Sequence, residues 1–266
     1  MIIPTAEPFF FPGNKIGCLL THGFTGSPVE MRWMGEYLAE QGFIVLGGRL
    51  AGHATKPEEM IRMRYIDWMN SVEDGYHLLR GITDRVYLVG LSMGGALSLL
   101  MATKLDVAGV ITMSAPYELT DPRVKYAKLM SSFIRYMPKS MDEPGSGWLD
   151  KDAWRGQVSY PQNPLRSVAE LDALLGEMRA ALPTLNVPTL LVHSRNDNYV
   201  PKDSMENIYA ALGTADKEMM WVTESGHVIS REPAKAEVPK LLRLVATKPS
   251  EPSSLTVGNK SAVATL

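Results

Sequence analysis

Residues 85–102 read RVYLVGLSMGGALSLLMA, and this stretch decides the fold. Its first part, residues 85–90, is a short apolar run that predicts a buried strand. A glycine-flanked turn follows, and an apolar helix continues to about residue 104. A strand, a tight turn and a helix in this order predict an α/β protein with a mainly parallel sheet flanked by helices.

The same alternation extends along the chain in both directions. Further strands are predicted at residues 16–21, 43–47, 107–113, 188–194 and 217–223. Further helices are predicted at about residues 28–41, 66–79, 202–212 and 233–247. The first of these helices has Ser27 as a candidate N-cap, Pro28 in its first turn and Glu30 as the third residue of a capping box.

Residues 118–187 interrupt the alternation and are too long for an ordinary connection between a strand and a helix. Apolar spacing predicts two amphipathic helices there, one over residues 124–137 and one over residues 168–182. We expect residues 1–117 and 188–247 to form the core, and residues 118–187 to form a small helical cap. The small, polar residues 248–266 are expected to be a flexible tail.

Composition excludes several classes of protein. The chain has 266 residues and a net charge of −2, so it lacks the basic surface that binds nucleic acid. Its one cysteine, Cys18, lies in an apolar run and is expected to be a small core residue. No apolar run reaches the ~20 residues of a membrane span, and the N-terminus does not resemble a signal peptide, so we expect a cytoplasmic protein.

Residues 90–94 form the pattern G-x-S-x-G between a predicted strand and a predicted helix, which is the setting of a nucleophile elbow. Ser92 would be the nucleophile, and it needs a base to take its proton. In folds with such an elbow, the chain order is Ser, then Asp or Glu, then His. That order excludes three histidines that precede the elbow: His22, His53 and His77. His193 lies inside a predicted strand before any suitable acid, so His227 is the predicted base.

The acid that orients His227 is predicted to be Asp197, directly after the strand over residues 188–194. Asp203 is the alternative, although its position near a helix start has an ordinary capping explanation. Two backbone N–H groups are expected to bind the oxyanion of the transition state, those of Met93 and Phe24. His22 is expected to brace its turn by a side-chain hydrogen bond, without taking part in proton transfer.

Four motifs, HGFTGSP, GLSMGG, SRNDNYVP and SGHVI, resemble those of the α/β-hydrolase superfamily, and within it the small bacterial carboxylesterases and monoacylglycerol lipases. The resemblance covers about residues 6–245 and assigns the same roles to Ser92, Asp197, His227, Phe24 and Met93. One departure is the single HG of the oxyanion loop, where hormone-sensitive-lipase-like esterases have HGGG.

The resemblance implies a serine hydrolase of short- to medium-chain acyl esters, with a small-molecule ester as its partner. No cofactor or metal is expected, because the histidines and acids show no metal-binding spacing. Two alternatives remain open: another serine hydrolase of this fold, such as a thioesterase, a carbon–carbon bond hydrolase or an acyltransferase, or a catalytically silent binding protein. The sequence leaves the oligomeric state open.

Overall fold

A seven-stranded sheet forms the centre of the computed structural model, which describes residues 1–139 and 148–232. Its strands are β1 (Phe9–Phe11), β2 (Ile16–Thr21), β3 (Ile44–Gly47), β4 (Arg85–Leu91), β5 (Gly109–Met113), β8 (Thr189–Ser194) and β9 (Lys217–Val222), while β6 (Tyr136–Pro138) and β7 (Gln162–Pro164) form a separate pair. The strand order is β1-β3-β2-β4-β5-β8-β9, in which β1 is antiparallel to β3 and every other neighbouring pair is parallel.

Helices follow most of these strands, as a parallel sheet requires. They are α1 (Val29–Glu40), α2 (Pro57–Met60), α3 (Tyr65–Arg80), α4 (Met93–Ala102), α5 (Ala127–Met130), α6 (Lys151–Arg155), α7 (Leu165–Ala181) and α8 (Asp203–Ala211). The central strands are buried on both faces, because helices cover both sides of the sheet. Within the described residues, no helix is both long enough and apolar enough to cross a lipid bilayer.

The predicted fold class is confirmed, and the predicted core strands agree with the observed ones to within two residues at either end. Cys18 is fully buried, as predicted, and burial raises the pKa of its thiol to about 12. The short strand β1 and the helix α2 were not predicted. The predicted helix over residues 233–247 and the predicted tail lie outside the described residues.

In the insertion between β5 and β8, the first predicted helix is absent from the described residues and the second predicted helix is present. Instead of a helix over residues 124–137, the chain forms a 3₁₀ turn at Pro122–Tyr126, the short α5, and a strand β6 (Tyr136–Pro138) that pairs with β7 (Gln162–Pro164). Two serines, a phenylalanine and an isoleucine after α5 are weak helix formers. The predicted second helix is α7, and its apolar face packs against α4.

The predicted capping box at the start of α1 is wrong. Ser27 does not cap the helix, because its hydroxyl donates a hydrogen bond to the backbone oxygen of Val158 in the insertion. The Glu30 carboxylate accepts a hydrogen bond from the N–H of Gly23, seven residues earlier. The spacing of Ser27 and Glu30 is that of a local cap, but in the folded protein both side chains bind other partners.

We predict that Leu174→Ala lowers the free energy of unfolding by about 2–5 kcal/mol, since it opens a cavity in the core between α7 and α4. The matched control is Leu129→Ala on α5, whose side chain is 69 % exposed and whose loss should change stability by under about 0.5 kcal/mol. Chemical denaturation measures both. Equal losses in the two variants would contradict the packing of α7 described above.

Candidate active site

Ser92 occupies a sharp turn between β4 and α4. Its backbone has φ 54° and ψ −121°, a conformation that non-glycine residues rarely adopt. The N–H of Ser92 donates to the backbone oxygen of Met113 on β5, at 2.8 Å, which holds the turn against the sheet. Strain of about 1–3 kcal/mol at such a residue persists only where the surroundings impose it. This is the geometry expected of a nucleophile elbow.

Two glycines of the motif are required by close backbone contacts. A Cβ atom on Gly90 would lie 2.1 Å from the backbone oxygen of Gly94. A Cβ atom on Gly94 would lie 2.2 Å from the backbone oxygen of Thr21, at the end of β2. Any side chain at either position would therefore push α4 away from the strands on which Ser92 rests.

Asp197 and His227 form a buried pair at the carboxyl ends of β8 and β9. The Nδ1 atom of His227 lies 2.8 Å from Oδ2 of Asp197. The other carboxylate oxygen accepts hydrogen bonds from the N–H groups of Tyr199 and Val200, at 2.8 and 3.0 Å. Asp203, the alternative acid, lies in the first turn of α8, and the contact with His227 is made by Asp197.

The surroundings of Asp197 keep its carboxyl group ionised. Burial raises its pKa, but the charge of His227, the hydrogen bond from that ring and the two backbone N–H groups outweigh burial and hold the pKa at about 2. A permanent carboxylate against Nδ1 favours the tautomer that carries its proton there. The Nε2 atom of His227 is then able to accept a proton.

A cavity of about 330 Å³ is lined by four of the five predicted site residues. Its wall includes Ser92, Met93, Phe24 and His227, and its size falls within the range of small-molecule sites. Among residues 1–139 and 148–232, Ser92 Oγ makes no hydrogen bond. Ser92 and His227 therefore line the same cavity but are not hydrogen-bonded to each other. Unliganded enzymes often have such an open arrangement before substrate binds.

The two amides predicted to bind an oxyanion both belong to this wall. The N–H groups of Phe24 and Met93 are taken up by no hydrogen bond within the described part of the chain. Met93 is the first residue of α4, where helix N–H groups have no partner inside the helix. Both amides are therefore able to donate to a ligand.

His22 braces the turn after β2, as predicted. Its Nδ1 atom lies 2.9 Å from the backbone oxygen of Gly23, and its Nε2 atom accepts the N–H of Leu50 at 3.2 Å. Burial, together with the charge of Arg49, outweighs the hydrogen bond to Gly23 and lowers the pKa of His22 to about 4. The ring is therefore neutral at physiological pH and is fully enclosed.

Several polar residues of the cavity wall were not predicted. Among them are Glu30 from α1, and Lys139 and Gln157 from the insertion. The insertion residues lie in stretches without periodicity, so no sequence signal marked them. Glu30 did have a sequence signal, since it is an acidic residue shortly after a glycine-rich turn, but its spacing from Ser27 favoured a capping box instead. No group of three or more His, Cys, Asp and Glu side chains in the described ranges could hold a metal ion.

A mainly parallel sheet, a strained serine between close-packed glycines and a buried Asp–His pair at the strand ends define an α/β hydrolase. The chain belongs to the family described as serine aminopeptidase, S33, which matches residues 14–234. This confirms the predicted superfamily.

Two relatives align over most of their length. One is a thermostable monoacylglycerol lipase of Bacillus sp. (strain H-257), 32 % identical over 228 residues, with 85 % of this chain and 88 % of the lipase covered. The other is a carboxylesterase of Bacillus subtilis (strain 168), 30 % identical over 231 residues, with 86 % of this chain and 92 % of the esterase covered.

Solved structures share the fold. One from a study of two metagenome-derived lipolytic enzymes, LipS and LipT, superposes with a TM-score of 0.85 at 30 % identity, covering 92 % of this chain and 99 % of that chain. A monoacylglycerol lipase of Paleococcus ferrophilus has a TM-score of 0.75 at 16 % identity, covering 90 % and 96 % of the two chains. The second likeness concerns the fold alone.

We predict that His22→Ala destabilises the protein at pH 7 by about 1–3 kcal/mol, because it leaves a buried N–H without its acceptor. The folded-state pKa of His22 is depressed, so its contribution to stability is lost as pH falls from about 6.5 to 4. The variant should therefore lose less stability than the wild type over that interval, in denaturation curves at several pH values.

The control for this prediction is His77→Ala on α3, whose side chain is 65 % exposed. It should leave the free energy of unfolding at pH 7 within about 0.5 kcal/mol of the wild-type value. The pKa values of the pH–rate profile should also be unchanged in His22→Ala. A shift of the acidic limb in that variant would contradict the bracing role and point to proton transfer through His22.

Proposed function

We propose that this protein is a serine hydrolase of carboxylic esters, with Ser92 as nucleophile, His227 as base and Asp197 as the acid that orients it. The observation that carries the proposal is the shared cavity, which is lined both by a strained serine and by a histidine held by a buried carboxylate. The enzyme class predicted from the sequence, a carboxylic ester hydrolase, agrees with the names of both relatives.

The proposed reaction follows from this arrangement. Ser92 Oγ attacks the acyl carbon while Nε2 of His227 takes its proton, and Asp197 stabilises the imidazolium that forms. The N–H groups of Phe24 and Met93 bind the oxyanion, whose charge develops only in the transition state. His227 then gives the proton to the leaving alcohol, and water attacks the acyl group on Ser92 to release the acid.

The proposed substrates are esters of short- to medium-chain acids, including monoacylglycerols. Apolar side chains of the insertion line one side of the cavity, among them Leu119, Val124, Val168 and Leu171, and these would contact an acyl chain. We propose that residues 118–187 act as a cap over a core of residues 1–117 and 188–247. The cytoplasmic location and the lack of a nucleic-acid partner stay predictions from the sequence.

We predict that Ser92→Ala lowers kcat/KM for p-nitrophenyl butyrate by at least about 10⁴-fold, and that Asp197→Asn lowers kcat by about 10⁴-fold. Asp203→Asn is the matched control and should retain wild-type activity. A fluorophosphonate probe should label the wild type on Ser92. Wild-type hydrolysis by Ser92→Ala would overturn the proposal, and failure of the wild type to react with the probe would favour a binding protein.

Thioester and carbon–carbon bond substrates belong in the same assay. The alternative, another serine hydrolase of this fold, would show itself as a kcat/KM for one of these classes that exceeds the value for every ester tested. The proposal requires the opposite order.

Acyl-chain preference tests the lining of the cavity. We predict that Val168→Ala raises kcat/KM for decanoate relative to butyrate esters by ~5-fold or more, because it lengthens the apolar space, while Val168→Phe lowers the same ratio. Leu174→Ala on the same helix is the control, since it packs in the core. An unchanged ratio in both Val168 variants would place the acyl chain elsewhere.

A further inference from the structure

The turn after β2 folds around the carboxylate of Glu30. Oε2 accepts the N–H of Gly23 at 2.8 Å, and a Cβ atom on Gly26 would lie only 2.2 Å from Oε1. The turn is closed by a hydrogen bond from the N–H of Gly26 to the oxygen of Gly23, at 3.2 Å. Glycine at positions 23 and 26 thus lets the backbone approach a buried acidic side chain.

Glu30 is held in place from other elements as well. The residue is only 5 % exposed, and burial raises the pKa of its carboxyl group. Gln157 of the insertion donates its amide to Oε1, and Ser230, near His227, donates its hydroxyl to the backbone oxygen of Glu30 at 2.6 Å. Burying a carboxyl group is costly unless it is hydrogen-bonded, and these partners offset that cost.

These contacts fix the backbone of Gly23 on both sides. The peptide unit before Gly23 carries the N–H that Glu30 accepts. The peptide unit after it carries the oxygen bound by His22 and Gly26, and its N–H is that of Phe24. Since each peptide unit is planar, fixing both units sets the two free torsions of Gly23, and hence the direction of the Phe24 N–H.

The braced glycine lies beside the nucleophile. A Cβ atom on Gly23 would lie 3.3 Å from Oε2 of Glu30 and 3.4 Å from the Cβ of Ser92. A small rotation of Gly23 would therefore move the Phe24 amide relative to Ser92. Oxyanion stabilisation depends on such donors being aimed in advance of the reaction.

We propose that Glu30 is a positioning residue of the oxyanion hole: its carboxylate fixes Gly23 so that the N–H of Phe24 points to the oxyanion formed at Ser92. This inference rests on the proposed ester hydrolysis. Glu30 acts through the turn and takes no part in proton transfer.

Three substitutions of Glu30 distinguish the contributions of its side-chain length, its charge and its hydrogen-bond acceptor. Glu30→Gln keeps an oxygen acceptor at the same distance. Glu30→Asp keeps the charge but is one methylene too short to reach Gly23. Glu30→Met keeps the length and removes the acceptor. The control is Glu36→Met, the same exchange at an exposed position of the same helix.

We expect Glu30→Asp and Glu30→Met to lower kcat for p-nitrophenyl butyrate by about 10- to 100-fold, part of what loss of a whole oxyanion donor costs. KM should change less than ~3-fold, since the donor acts on the transition state. Glu30→Gln should stay within ~5-fold of the wild-type kcat, and Glu36→Met should match the wild type. End-point labelling with a fluorophosphonate counts the intact sites, so kcat refers to folded enzyme.

A second readout distinguishes positioning from loss of structure. A trifluoromethyl ketone forms a tetrahedral oxyanion on the serine, so its Ki should rise in Glu30→Asp and Glu30→Met by the same factor as kcat/KM falls. A Ki that stays at the wild-type value, or a kcat per labelled site that is unchanged in both variants, overturns the inference. If the wild type itself neither reacts with the probe nor hydrolyses esters, it is the proposed function that fails.

Discussion

The close backbone contact at the start of α4 is the constraint on which the rest of the site depends. Gly94 packs directly on the backbone oxygen of Thr21, which places the end of β2 beside Ser92. The glycine-rich turn that continues from β2 therefore reaches the nucleophile without any long connection. All ten residues of α4 are buried, and burial of its large apolar side chains, at roughly 1.5–3 kcal/mol each, exceeds the strain held at Ser92.

The central fold was readable from the sequence because its signals are local. Buried parallel strands appear as short apolar runs, and the helices between them carry a regular apolar face. The insertion was predicted only in part. In α7 the apolar spacing coincides with a buried face, whereas Leu129 and Phe133, which share the apparent spacing of the first predicted helix, are 69 % and 85 % exposed. Periodicity alone does not reveal whether a partner surface exists.

The site shows the same division between local and long-range information. Ser92 follows from its motif, and the pairing of Asp197 with His227 agrees with the chain order typical of the elbow. Glu30 was misinterpreted because its three neighbours, Gly23, Gln157 and Ser230, are up to 200 residues away in the chain. A capping box is a contact between residues three positions apart. A sequence pattern does not reveal whether a residue elsewhere in the chain binds the same side chain instead.

The hydrogen bonds between the insertion and the turn after β2 have a consequence for how this enzyme could be diversified. Val158 accepts the Ser27 hydroxyl, the N–H of Tyr160 donates to the oxygen of Thr25, and the Tyr160 hydroxyl donates to Gly52. Residues 157–160 are thus structurally part of the core, although they lie within the insertion. A chimera that exchanges residues 118–138 for those of a relative leaves these hydrogen bonds in place. Lys139 also donates to Oγ1 of Thr25, at 2.8 Å. An exchange that includes Lys139 or residues 157–160 therefore also needs the matching turn, so the crossover points of a recombination library belong before residue 139.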